Sequence, residues 1–170
     1  KACAEIERAF EEHSDRIAAI IIEPMQGEGG DNHFRDEFLE KLRTYANERE
    51  ALLIFDEVQT GFYGSGKTWF WQHTSVRPDV VCFGKKTQTC GIYASERVDE
   101  VPENVFHRSS RINSTWGGNL VDMVRCMQYI KIIERDNIAE LVTSVGEYMV
   151  AGLRDIAKES GTFEGVRGKG

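Results

Sequence analysis

The stretch ALLIFDEVQTG, residues 51–61, decides the fold. Its apolar run from Ala51 to Phe55 is continuous and ends in two acids, Asp56 and Glu57, before a turn. A strand with one wet face would alternate; an unbroken apolar run of this length reads as a strand covered on both faces, as in a parallel sheet. Working outward, IAAIIIE (17–23) has the same shape and ends in Glu23. DVVCFG (79–84) follows the turn signal Arg77-Pro78-Asp79 and leads into Lys85. Between the first two runs, residues 35–50 place Phe38, Leu39, Leu42, Tyr45 and Ala46 on one helical face, with Asp36 and Glu37 near the start to suit the helix dipole. Residues 2–12 predict another helix. GIYAS (91–95) is a fourth strand, too close to the third for a parallel crossover and so antiparallel to it. The alternation predicts an α/β domain with a mainly parallel sheet and flanking helices.

In such sheets chemistry collects at the carboxyl ends of the strands. Those ends carry Glu23, Asp56, Glu57 and Lys85. An acid at the end of a buried strand needs a partner, since an unpaired carboxylate in an apolar site is costly. For Asp56 a protonated pyridine nitrogen would serve; so would a structural ion pair or a metal. A lysine partly desolvated near other cations gives up its proton more readily, which suits Lys85 to covalent chemistry. Lys86 competes for that role, and two solvated lysines in a turn is the plain alternative. In RINSTWGGN (111–119), Asn113, Ser114 and Thr115 supply donors, and Gly117 and Gly118 let the chain turn into a helix. That makes an anion site or an ordinary helix cap.

GFYGSGKT, from Gly61 to Thr68, satisfies the phosphate-loop pattern GxxxxGK[ST]. Trp69, Phe70 and Trp71 come next, bulky for the helix that pattern requires. LLIFDE lies on the strand feeding the loop, where it could not face a bound magnesium ion from a neighbouring strand. A nucleotide-binding domain is therefore a remote alternative.

Composition narrows the classes further. The 170 residues carry a net charge of -7, which disfavours a nucleic-acid surface. No apolar run approaches membrane length, and no secretory signal opens the chain. The four cysteines, Cys3, Cys82, Cys90 and Cys126, form no CxxC pair and read as free thiols in a reducing cytoplasm. The scattered histidines give no metal-ligand spacing.

The second half is helical. Residues 119–135 place Leu120, Val124 and Met127 in register, and 137–160 do the same with Leu141, Val145, Met149, Leu153 and Ile156. Asn137 and Glu140 predict a capping box, and Gly161 the stop. A domain boundary is expected near Asp136. Lys1 falls inside a helical pattern and VRGKG where a strand pattern begins, so a piece of a longer protein is expected.

EPMQGEGG, LLIFDEVQTG, Pro78-Asp79, FGKK and NSTWGGN, in this order and spacing, resemble the class III (omega) pyridoxal-phosphate-dependent aminotransferases of fold type I. The resemblance runs from Glu23 to the end of the chain; only GFYGSGKT follows the family loosely. It implies the C-terminal part of a large cofactor domain with an interdomain helix over 1–135, and the start of a small C-terminal domain over 136–170. It implies Lys85 as the catalytic Schiff-base lysine, Asp56 as the partner of the pyridine nitrogen, and Gln59 beside the ring hydroxyl. Ser114 and Thr115 become phosphate contacts, Thr115 serving the neighbouring subunit of a homodimer. Glu28 becomes the acid that holds or releases an active-site arginine according to substrate. Segments such as FGKKTQTCG and SRINSTWGGNLVDMVR look most like members that transfer the ε-amine of L-lysine to 2-oxoglutarate. Members acting on 4-aminobutyrate look next closest. A non-catalytic module keeping only the fold is the third reading.

Overall fold

The computed structural model describes residues 1–14, 16–112 and 118–170. Helix α1 (Ala2–Glu12) leads to strand β1 (Ala19–Ile22), helix α2 (Asp36–Glu48), β2 (Leu52–Asp56), β3 (Val80–Phe83) and β4 (Gly91–Ala94). The long helices α3 (Leu120–Arg135) and α4 (Ile138–Ser160) complete the order. Among the described residues the four strands form one sheet in the order β1-β2-β3-β4. β1, β2 and β3 are parallel, and β4 is antiparallel to β3, as its short connection requires.

The core lies between this sheet and α2. Leu39, Leu42 and Ala46 of α2 pack on Leu53 and Phe55 of β2 and on Val76. Phe10 of α1, Tyr45 and Ala51 close one side. The helical face expected over 35–50 is the one that is buried, apart from Phe38, which sits half-buried at its rim. The strand pattern needs a correction. Leu53 and Phe55 are fully buried, while Leu52, Ile54 and Asp56 alternate with them and are only half-buried. On β1, Ile21 is 63% exposed. The pleat sends alternate side chains to opposite faces, and among the described residues the helices that pack on β1 and β2 cover one face only.

At the amino ends of the strands, Asp79 acts as a clamp. Its buried carboxylate accepts from Leu53 N at 2.7 Å and from Arg43 Nη1 at 2.8 Å, and Arg97 Nη1 lies 3.7 Å away. Its own amide donates to the Leu53 carbonyl, and its carbonyl accepts from Ser95 N. This joins β2, β3, α2 and the turn after β4, and leaves the opposite edge free to carry functional groups.

The Asn119 side chain caps α3 by accepting from Val121 N. The capping box expected at Asn137 is absent: Asn137 adopts a left-handed conformation (φ 50°) and makes no side-chain cap. It spends that conformation on the sharp turn between α3 and α4, and its carbonyl accepts from Glu140 N. Gly161 ends α4 in the left-handed region as expected. Many apolar residues of both helices, Leu120, Val124, Met127, Leu141, Val145 and Met149 among them, stay exposed. Among the described residues no helix is long and apolar enough to cross a membrane.

The phosphate-loop alternative fails on geometry. Residues 61–68 form an irregular loop closed by Phe62 N donating to the Thr68 carbonyl at 2.7 Å. The next element is a four-residue 3-10 turn, Phe70–His73, too short to present a helix N-terminus to phosphates.

Candidate active site

Parallel register places Asp56 directly beside Cys82, so β2 and β3 end level with one another. The segments leaving the two strands meet at that edge. The two acids at the end of β2 part company there, one to each face. Glu57 turns inward and is buried, accepting from the backbone amides of Phe70 and Trp71 and from Thr60. Burial pushes its carboxyl above the ordinary carboxylate value, against those hydrogen bonds. It is a structural acid that ties down the 3-10 turn. Asp56 belongs to the other face and is half-buried. Its Oδ1 accepts from Val58 N at 3.0 Å, and among the described residues its Oδ2 has no partner.

Lys85 opens a short 3-10 turn, Lys85–Thr87, just past β3. Its backbone is left-handed, with φ 52°. For a residue with a Cβ this conformation costs roughly 1–2 kcal/mol. The turn holds it there: Gln88 donates to the Lys85 carbonyl from its backbone at 2.9 Å and from its side chain at 3.2 Å. Gln88 in turn receives Arg125 of α3 at 3.2 Å, which fixes the turn to the helix. The Lys85 side chain is exposed, and its amine has no partner among the described residues.

Lys86 points elsewhere. Its amine donates to the backbone carbonyl of Gln59. Burial, and then the neighbouring charge of Lys85, make it give up a proton more readily than an ordinary lysine. Proton affinity alone would nominate Lys86 as the nucleophile. The Lys86 amine, however, is already engaged by the Gln59 carbonyl, and the Lys85 amine has no partner among the described residues.

Gln59 is half-buried beside the loop after β1. A Cβ at Gly27 would lie 3.9 Å from the Gln59 side chain, an ordinary van der Waals separation, so the two loops adjoin. That loop is closed by the Met25–His33 bridge and by Gln26 N donating to the Asn32 carbonyl at 3.0 Å. Glu28 stands at its exposed tip, with no charged partner among the described residues. Glu23 is half-buried just past β1. The structure thus brings Asp56, Gln59, Lys85 and the Glu28 loop to one edge. Ser114 and Thr115 lie outside the described residues.

Two features escaped the sequence. Lys86 could be seen only as a rival of Lys85, and nothing in the local pattern links it to the Gln59 carbonyl. The Arg43–Asp79–Arg97 cluster joins residues far apart in the chain. Its one sequence signal, Asp79 after Pro78, reads first as a turn.

A carboxylate with a free oxygen, an unpaired primary amine and an amide at one strand edge form a donor set that suits a protonated heteroaromatic ring bearing an aldehyde. The aminotransferase class-III family model matches residues 1–170, and the chain belongs to that family. The L-lysine-epsilon aminotransferase of Mycobacterium tuberculosis is 49% identical over 159 residues, covering 94% of this chain and 35% of that protein. The enzyme of the same name from Streptomyces clavuligerus is 47% identical, covering 95% and 36%. The structure of the lysine aminotransferase from M. tuberculosis in the internal aldimine form superposes with a TM-score of 0.95 at 48% identity, covering 99% of this chain and 39% of that one. The chain spans about a third of the length of the curated relatives it matches.

Proposed function

We propose that the protein containing this chain is a pyridoxal-phosphate-dependent aminotransferase that moves the ε-amine of L-lysine to 2-oxoglutarate. The observation that carries the reading is that Asp56 ends β2 and Lys85 follows β3 at level, neighbouring carboxyl ends, with Asp56 Oδ2 and the Lys85 amine both unpartnered among the described residues. Lysine as donor rests on the likeness to the two L-lysine-epsilon aminotransferases. A 4-aminobutyrate or other omega-amino-acid aminotransferase is the second choice.

In this reading Asp56 faces the ring nitrogen and keeps it protonated, since a carboxylate next to a pyridinium favours the charged form of both. Gln59 lies beside the ring hydroxyl. Lys85 holds the cofactor through its amine. Its amine, when free, would serve as base and then as acid for the proton of the substrate carbon. When bound, the cofactor supplies the electron sink for that carbon. Ser114 and Thr115 contact the phosphate, Thr115 from one subunit of a homodimer to the next. Glu28 engages an arginine according to which substrate is present. Residues 1–135 belong to the large cofactor domain with its interdomain helix and 136–170 to the start of the small one, in a cytoplasmic enzyme.

The test is borohydride reduction of the full-length protein with pyridoxal phosphate, followed by peptide mapping. The expected result is a pyridoxyl label on Lys85. A label on Lys86 sinks the residue assignment, and no label on either sinks the cofactor reading.

A further inference from the structure

We propose that Lys86 is a positioning residue that locks the two halves of the site together, its amine holding the Gln59 carbonyl and so fixing the segment after Asp56 against the segment that carries Lys85. The inference rests on the cofactor reading and assigns a task to the second lysine of the pair.

Three observations carry it. First, the Lys86 amine spans from the turn after β3 to the backbone after β2, a contact between residues 27 positions apart. It is the direct side-chain hydrogen bond between the two segments among the described residues. Second, the side chain runs beneath the loop it holds: a Cβ at Gly64 would sit 3.1 Å from Lys86 Cε and 3.5 Å from its Nζ. Third, that loop needs holding. Phe62 and Tyr63 are both left-handed, with φ of 58° and 64°, a costly conformation for bulky residues that persists only where the surroundings impose it. Lys85 itself is left-handed on the other side of the same contact. Two strained segments face each other, and the Lys86 amine joins them. No carboxylate competes for that amine among the described residues. The consequence for chemistry is a division of labour. Lys86 is committed to the scaffold and Lys85 is left free, so adjacent lysines do not compete for one aldehyde. Gln59 is held where its side chain can reach the cofactor ring.

The experiment uses the full-length protein and the variants Lys86→Met and Lys86→Arg. Pyridoxal-phosphate affinity is read by equilibrium binding, and hydrogen exchange of residues 59–64 is read in the cofactor-free protein. Lys86→Met removes a charged hydrogen bond. It should weaken cofactor binding about tenfold and speed exchange across 59–64 while leaving β2 protected. Lys86→Arg keeps a charged donor and should restore both readouts in large part. Borohydride labelling of the wild type and of Lys86→Met should find Lys85 in each. Wild-type affinity and exchange in Lys86→Met would overturn the proposal, as would an arginine variant no better than the methionine one. A label on Lys86 in the wild type would also overturn it. Absence of any label in the wild type would instead defeat the cofactor reading, which keeps the two failures apart. If Lys86→Met does not fold, exchange and affinity in Lys86→Arg decide, with retention of both near wild type expected.

Discussion

Asp56 is the register partner of Cys82 across the β2–β3 pair. The thiol of Cys82 is pushed above its ordinary value, by burial first and then by the Asp56 carboxylate. The acid proposed to face the cofactor ring therefore has a reporter on the neighbouring strand. In the full-length protein Asp56→Asn should keep the fold and lose most of the activity, a fall on the order of a hundredfold or more in kcat. The same change should make Cys82 easier to ionise, because a negative neighbour is gone. Cys82 alkylation measured against pH should then shift toward lower pH. Near wild-type transamination by the variant would remove Asp56 from its proposed role.

Glu57 should behave as the opposite kind of acid. It is buried and holds the amides of Phe70 and Trp71. Glu57→Gln keeps one carbonyl acceptor and turns a donor toward an amide that also donates. A loss of about 1–3 kcal/mol in unfolding stability at neutral pH is expected. The pH dependence has a definite sign. The carboxyl is raised in the folded state above its ordinary 4.5. Its contribution is full below 4.5 and is lost as pH rises through the raised value. Urea unfolding of both proteins across that window should show the gap between wild type and Glu57→Gln widening as the pH falls.

The Asp79 clamp predicts a stability effect without a direct catalytic one. Arg43 Nε and Nη2 are buried and have no hydrogen-bond partner, so Asp79 is the counter-charge that makes this guanidinium tolerable. Asp79→Ala would strand it. The expected cost is about 3–5 kcal/mol, read as a lower unfolding midpoint. Paired with Arg43→Met, which removes the stranded charge, the loss should shrink. If Asp79→Ala costs the same in either background, the two residues are not coupled.

Donor choice is the most specific functional expectation. Comparing kcat/KM for L-lysine, 4-aminobutyrate and ornithine in the full-length enzyme should put L-lysine first. A clear preference for 4-aminobutyrate would move the protein to the second choice.

Much of this site was legible in the chain itself. The apolar runs ending in Asp56 and before Lys85, and the short return to GIYAS, were enough to place a parallel pair and an antiparallel neighbour. Strand period, helix period and crossover length are local properties, written in consecutive residues. Motif order was enough to bring Asp56, Gln59, Lys85 and Glu28 together as candidates. What the chain could not say is which face each residue takes and what it touches there. Asp56 and Glu57 are adjacent acids at the end of one strand; only the pleat against α2 sends Glu57 into the protein and Asp56 to the open face. Lys85 and Lys86 are adjacent lysines in one turn. Only the approach of the Gln59–Gly64 loop engages one and leaves the other free. Contacts of that kind join residues tens of positions apart, and they exist only once the sheet has brought the strand ends level.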